Sequence, residues 1–164
     1  MIGICNGFQA LIKLGLVPFG KIMDTDAHCP TLTFNSIGRH QSRIVTTRVA
    51  SANSPWISGT QVGELYNVPI SHGEGRFIAE PEMLAQLIAN GQVATQYVDA
   101  EGDATNDILY NPNGSVAAIE GILSPDGRVL GKMGHSERIG SGLYKNVPGN
   151  YDMQLFKSAV RYFK

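Results

Sequence analysis

Gly3-Ile4-Cys5-Asn6-Gly7 stands between a short apolar run, Met1 to Ile4, and the stretch Phe8-Gln9-Ala10-Leu11-Ile12-Lys13-Leu14, whose apolar residues recur at helical spacing. A G-x-C-x-G at a strand-to-helix junction is the cysteine form of the nucleophile elbow. The flanking glycines allow a sharp turn that lifts the side chain above the sheet edge. The helix N-terminus beneath the sulfur is expected to favour the thiolate, a strong nucleophile toward carbonyl carbon. The strand before the elbow has nothing upstream to pair with. We therefore expect residues 1–164 to be a single-domain fragment of a longer polypeptide, with the first strands of its sheet missing.

Outward from the elbow, Asn6 to Leu16 reads as a helix ended by Gly15 and Pro18. Thr31 to Phe34 and Arg43 to Val49 alternate and are β-branched, so both read as strands, as do Tyr66 to Ser71 and Gln92 to Val98. His72-Gly73-Glu74-Gly75 reads as a glycine-rich turn. Pro81 to Asn90 reads as a helix with proline at its first position and Gly91 at its C-terminal cap. Asn111-Pro112-Asn113-Gly114 is a turn, and Pro125-Asp126-Gly127 joins Ala117–Leu123 to Arg128–Met133 as a hairpin. Tyr151 to Phe163 closes the chain as an amphipathic helix. Mixed strands and helices with a nucleophile at a strand-to-helix turn point to a layered α/β domain.

Composition narrows the function by exclusion. With 164 residues, 43% of them hydrophobic, the chain can bury one core. Its formal net charge is −1 and its basic residues are scattered, which argues against nucleic acid as a partner. No apolar stretch approaches the length of a membrane span, and the N-terminus lacks the charged and apolar regions of a signal peptide. Two cysteines, Cys5 and Cys29, make no disulfide framework; a reducing, cytoplasmic compartment is expected.

A cysteine nucleophile needs a base within reach, and the base needs an orienting group. Of His28, His40, His72 and His135, the last lies just after a strand in Gly134-His135-Ser136-Glu137-Arg138, with Glu137 two residues on. Residues two apart in extended backbone share a face, so Glu137 can turn back to the ring and fix its tautomer. The assignment is Cys5 as nucleophile, His135 as base and then acid, and Glu137 as orienter. His72 competes for the base role, because the glycines after it let backbone approach a ligand. A zinc site from His72, Glu74, His135 and Cys29 matches no standard ligand spacing.

Five segments then occur in order: Gly3-Ile4-Cys5-Asn6-Gly7-Phe8-Gln9, Ser71-His72-Gly73-Glu74-Gly75-Arg76-Phe77, Ala94-Thr95-Gln96-Tyr97, Asn111-Pro112-Asn113-Gly114-Ser115 and Gly134-His135-Ser136-Glu137-Arg138. Together they resemble the glutaminase domain of phosphoribosylformylglycinamidine synthase, a class I (triad) glutamine amidotransferase, over nearly the whole chain. The departure is at Gly134 and Ser136, where that family often carries prolines on both sides of the histidine.

The resemblance implies a three-layer α/β/α, flavodoxin-like domain. It implies hydrolysis of glutamine to glutamate and ammonia. The ammonia passes to a synthetase domain or subunit, which converts formylglycinamide ribonucleotide to formylglycinamidine ribonucleotide in de novo purine synthesis. ATP and magnesium belong to that synthetase part; this domain needs no cofactor and no metal. Gln9 and the Ser71–His72 segment resemble positions lining the glutamine pocket, and Arg76 and Arg138 could face the synthetase. The Asn6 N–H is one expected oxyanion donor. In the family the second comes from a glycine-rich loop upstream of the elbow, so 164 residues without it are expected to be weakly active, and to self-associate through an uncovered sheet edge. A long loop-containing region between residues 21 and 63 leans toward the long single-chain form of the synthase. The competing classes are a non-catalytic docking module of the same fold and a stand-alone cysteine hydrolase.

Overall fold

The computed structural model describes residues 1–164. Eight strands and four helices follow the chain: β1 (Ile2–Ile4), α1 (Asn6–Lys13), α2 (Leu16–Phe19), β2 (Thr31–Phe34), β3 (Gln41–Val49), β4 (Leu65–His72), β5 (Glu74–Ile78), α3 (Pro81–Ala89), β6 (Val93–Tyr97), β7 (Ile119–Leu123), β8 (Leu130–Lys132) and α4 (Leu155–Phe163). Six strands form a mixed sheet in the order β1-β8-β7-β6-β3-β4, and β2 pairs with β5 in a separate two-stranded ribbon. Within the sheet only β1 and β8 run parallel, with Ile4 opposite Lys132.

Period-two alternation gives the sheet two apolar faces. On one, Ile122 joins Phe8, Leu11 and Ile12 of α1, Leu87 of α3, and Leu32 and Phe77 of the ribbon. On the other, Leu123 and Leu130 pack with Tyr66, Ile57, Met153 and Leu155 at the start of α4. Helices on both faces of one sheet make the three layers of the expected α/β/α class. No helix is long and apolar enough to cross a membrane.

Two glycines let α1 lie close against the sheet. A Cβ on Gly3 would fall 2.6 Å from the Gly7 carbonyl carbon, and one on Gly131 would fall 2.2 Å from the Phe8 ring. Of the two elbow glycines only Gly3 is required by packing, because Gly7 has open space around it.

Two elements differ from the sequence reading. Glu74 and Gly75, read as part of a glycine-rich turn, instead open strand β5 (Glu74–Ile78), paired antiparallel with β2 (Leu32 opposite Phe77). The last helix starts at Leu155 rather than Tyr151, since Gln154 takes the left-handed conformation at φ 53° and breaks the first expected turn.

Candidate active site

Cys5 is the residue at which β1 turns into α1. Its φ of 53° and ψ of −107° lie outside the regions that L-residues favour, and such backbone persists where its surroundings enforce it. The enforcement is visible on both sides. The Cys5 N–H donates to the Lys132 carbonyl at 2.8 Å, prolonging the β1–β8 pairing by one bond, and the Cys5 carbonyl accepts from Gln9 N–H at 3.2 Å, the first turn of α1.

His135 follows β8, three residues past Lys132, so Cys5 and His135 leave the carboxyl ends of neighbouring parallel strands, where open α/β sheets assemble their sites. The sheet also curls until its far edge strand reaches the same place. The His135 N–H donates to the Pro69 carbonyl of β4 at 2.8 Å. The Cys5 thiol lies 3.7 Å from the Ser71 carbonyl, two residues along that strand. Cysteine and histidine are thereby tied to adjacent same-side carbonyls of one strand.

The imidazole is oriented as the sequence suggests. His135 Nδ1 and Glu137 Oε1 are 2.6 Å apart. A carboxylate only accepts, so Nδ1 carries the proton and Nε2 presents a lone pair. That Nε2 is buried and has no hydrogen-bond partner. A buried basic nitrogen left without a partner, on a backbone tied to the same strand as the thiol, has its lone pair free for general-base chemistry.

The resting charge of the sulfur differs from expectation. The α1 N-terminus does favour the thiolate, through the Asn6 N–H aimed at it, but burial outweighs this and pushes the Cys5 thiol up. The Arg138 guanidinium pulls weakly down and the Glu137 carboxylate pushes weakly up. Cys5 therefore rests as a thiol, and any nucleophilic chemistry at the sulfur needs a base to take its proton.

The other residues singled out take mixed positions. Asn6 holds its N–H at the sulfur, where an oxyanion donor belongs. Gln9 spends its Nε2 on the Glu74 carbonyl, 2.6 Å away, clamping α1 to β5. Ser71 offers its carbonyl to the thiol, and its hydroxyl lies 3.1 Å from His40 Nε2. The His72 side chain turns inward: it is 4% exposed, with Nδ1 3.2 Å from Asn35 Oδ1. Its carbonyl accepts from Asn35 Nδ2 at 2.8 Å. Cys29 and Glu74 do not join His72 and His135, and no three His, Cys, Asp or Glu side chains are placed to hold a metal ion.

Burial lowers the His72 imidazole to about 4, against the pull of Glu120 and with weak help from His40 and His135. Its folded value is thus depressed from 6.5, so its contribution to stability is complete above 6.5 and is lost as pH falls toward 4. We expect roughly 2 kcal/mol less stability at pH 5 than at pH 7 from this residue. Urea unfolding at the two pH values checks this, and His72→Gln should flatten the difference.

Asn111 to Ser115 proves structural. Asn113 Nδ2 donates to the Gly75 carbonyl at 2.6 Å and to the Tyr97 hydroxyl at 3.1 Å, and the Ser115 hydroxyl accepts from Phe77 N–H at 3.0 Å, which holds β5 under the site. Sequence reasoning missed Glu120 and Lys132. Both are fully buried and ion-paired at 3.2 Å beneath the His135 loop. A lone acid in the apolar strand Ile119–Leu123, facing a lone base in Leu130–Lys132, is the signal that could have found them.

The chain is similar to known proteins along nearly its whole length. Residues 1–163 match the family model of the CobB/CobQ-like glutamine amidotransferase domain. The chain is 41% identical over 140 residues to the phosphoribosylformylglycinamidine synthase subunit PurQ of Acaryochloris marina, covering 84% of this chain and 53% of that protein. It is 39% identical over 151 residues to the PurQ subunit of a Synechocystis species, covering 91% of this chain and 61% of the relative. Among solved structures it resembles a chain of PurLQS from Thermotoga maritima, with a TM-score of 0.72 at 29% identity, covering 99% of this chain and 61% of that one. The chain thus spans a little over half the length of these relatives. These relatives are named as subunits, against the expectation that the length of region 21–63 points to the single-chain form; that region contains β2 and β3.

Proposed function

The chain belongs to the CobB/CobQ-like glutamine amidotransferase domain family, and from that membership we propose that it hydrolyses glutamine to supply ammonia to a synthetase partner. The observation that carries this reading is the buried, unpartnered His135 Nε2, oriented by Glu137, in a residue that, like Cys5, is tied to a carbonyl of β4. His135 Nε2 takes the thiol proton as the sulfur attacks the side-chain amide carbon of glutamine. The Asn6 N–H stabilises the oxyanion that forms. His135 returns the proton to the departing nitrogen, which leaves as ammonia, and a thioester to Cys5 remains. His135 Nε2 then takes a proton from water as its oxygen attacks the thioester, the C–S bond breaks to release glutamate, and the imidazolium returns the proton to the sulfur.

The relatives are named for phosphoribosylformylglycinamidine synthase, and that name supplies the destination of the ammonia. In this reading the partner is the synthetase, which uses ATP and magnesium to convert formylglycinamide ribonucleotide to formylglycinamidine ribonucleotide in the cytoplasm. In this reading Ser71, whose carbonyl meets the Cys5 thiol, and Gln9, one helical turn beyond Cys5, border the bound glutamine, and the half-exposed Arg138 faces the synthetase.

The test uses the whole protein, alone and with the synthetase. Glutamine should be converted to glutamate, and an electrophilic glutamine analogue should label Cys5, with glutamine protecting it. Absence of both glutamate and label in the presence of the synthetase overturns the reading and favours a docking module.

A further inference from the structure

We propose that the buried Glu120–Lys132 pair is the positioning device that presents the His135 imidazole to Cys5; the inference rests on the reading of His135 as the base. Both side chains are fully buried, with Lys132 Nζ 3.2 Å from Glu120 Oε1. Three of their four remaining side-chain bonds go to the two residues that flank His135. Glu120 Oε1 accepts the Gly134 N–H, while Lys132 Nζ donates to the Gly134 carbonyl at 3.1 Å and to the Ser136 hydroxyl at 2.8 Å. Glu120 Oε2 accepts from the Thr95 hydroxyl on β6, which anchors the pair to the middle of the sheet.

The arrangement answers a specific structural need. Past Lys132 the backbone leaves the sheet, and the path of Gly134 to Ser136 is no longer set by ladder bonds. On one side of His135 the Gly134 backbone is instead clasped by both members of the ion pair, and on the other the Ser136 hydroxyl is held by Lys132. Glycine at 134 is what admits the carboxylate: a Cβ there would lie 2.8 Å from Glu120 Oε1 and 2.6 Å from Val68 Cγ2. Gly121 makes similar room, since its Cβ would lie 2.8 Å from the Thr95 hydroxyl and 3.0 Å from Lys132 Cβ. Burying two charges is costly, and apolar residues of equal volume commonly hold a core as well or better. A pair whose bonds converge on the flanks of one histidine therefore reads as a requirement for geometry rather than for stability.

That distinction supplies the test. In the whole protein the paired substitution Glu120→Leu with Lys132→Met removes both charges together, leaving neither stranded. We expect its thermal midpoint to stay at or above that of the parent. The kcat for glutamine should fall about 10- to 100-fold, with KM within about threefold, as a sub-ångström to 1 Å misplacement of a catalytic group predicts. Alkylation of Cys5 by iodoacetamide at pH 7.5, in a Cys29→Ser background, should slow toward the rate of His135→Ala. A stable paired variant whose kcat and Cys5 alkylation rate match the parent overturns the proposal. Should the paired variant not fold, Ser136→Ala keeps both charges and removes one clasp; it should slow Cys5 alkylation several-fold, and an unchanged rate overturns the proposal. Because alkylation does not involve glutamine, a parent protein that hydrolyses none yet loses Cys5 reactivity on the paired substitution supports the positioning role while the glutaminase reading falls.

Discussion

Replacing Cys5 with alanine should lower glutamine turnover by about 10^4-fold or more, a loss of roughly 5 kcal/mol of transition-state stabilisation. No other thiol can take over, since Cys29 lies apart from the site on the approach to β2. The remaining backbone donor at Asn6 and the bound geometry leave only a residual rate. The assay is glutamate release in the whole protein with its synthetase. The same reaction supplied with free ammonia should proceed unimpaired, because the substitution touches only the source of nitrogen. Loss of the ammonia-driven reaction would instead mean that Cys5 holds the assembly together. Stability gives an independent reading. At φ 53° and ψ −107°, alanine keeps the backbone strain of the elbow, whereas glycine relieves it. Cys5→Gly should therefore unfold in urea at a midpoint no lower than Cys5→Ala, although glycine ordinarily weakens an ordered position. A cysteine held in such backbone indicates that nucleophile presentation, not folding, sets this residue.

What could be read from the sequence divides along range. The elbow at Cys5, the Pro81–Ala89 helix with Gly91 behind it, and the hairpin at Pro125-Asp126-Gly127 depend on near neighbours, and each stands where local chemistry puts it. Strand β5 was hidden because its partner β2 lies some forty residues upstream; two glycines near its start read as a turn until Leu32 and Phe77 are seen facing each other. The pairing of His135 with Glu137 was legible, two residues apart, but not the curl of the sheet that brings Pro69 and Ser71 of β4 to the elbow. The charge state of Cys5 also escaped. A helix N-terminus is visible in sequence, whereas the burial that outweighs it is a property of the packed molecule. The same holds for Glu120 and Lys132: polar residues near strand ends read as solvated until a second charge is found within reach.

The second large effect is at His135. Its replacement by alanine should reduce kcat about 10^3- to 10^4-fold, because the sulfur then has no acceptor for its proton and the departing nitrogen no donor. The pH profile distinguishes this from a loss of binding. In the parent the rate should stay level through the ordinary thiol range, since His135 Nε2 takes the proton and the sulfur need not ionise on its own. Without that ring the residual rate depends on spontaneous ionisation of a thiol that burial has pushed up, so it should climb with pH throughout the ordinary thiol range without levelling. His72, another histidine near the site, should not substitute: its ring is turned inward onto Asn35, and His72→Gln should keep the level profile of the parent. Glu137→Gln should fall between these extremes. Its carboxylate is about one-third exposed (37%), so water can replace part of what it gives the imidazolium, while the tautomer it enforces is lost. A level profile in His135→Ala would move the base elsewhere, and a climbing profile in His72→Gln would show where.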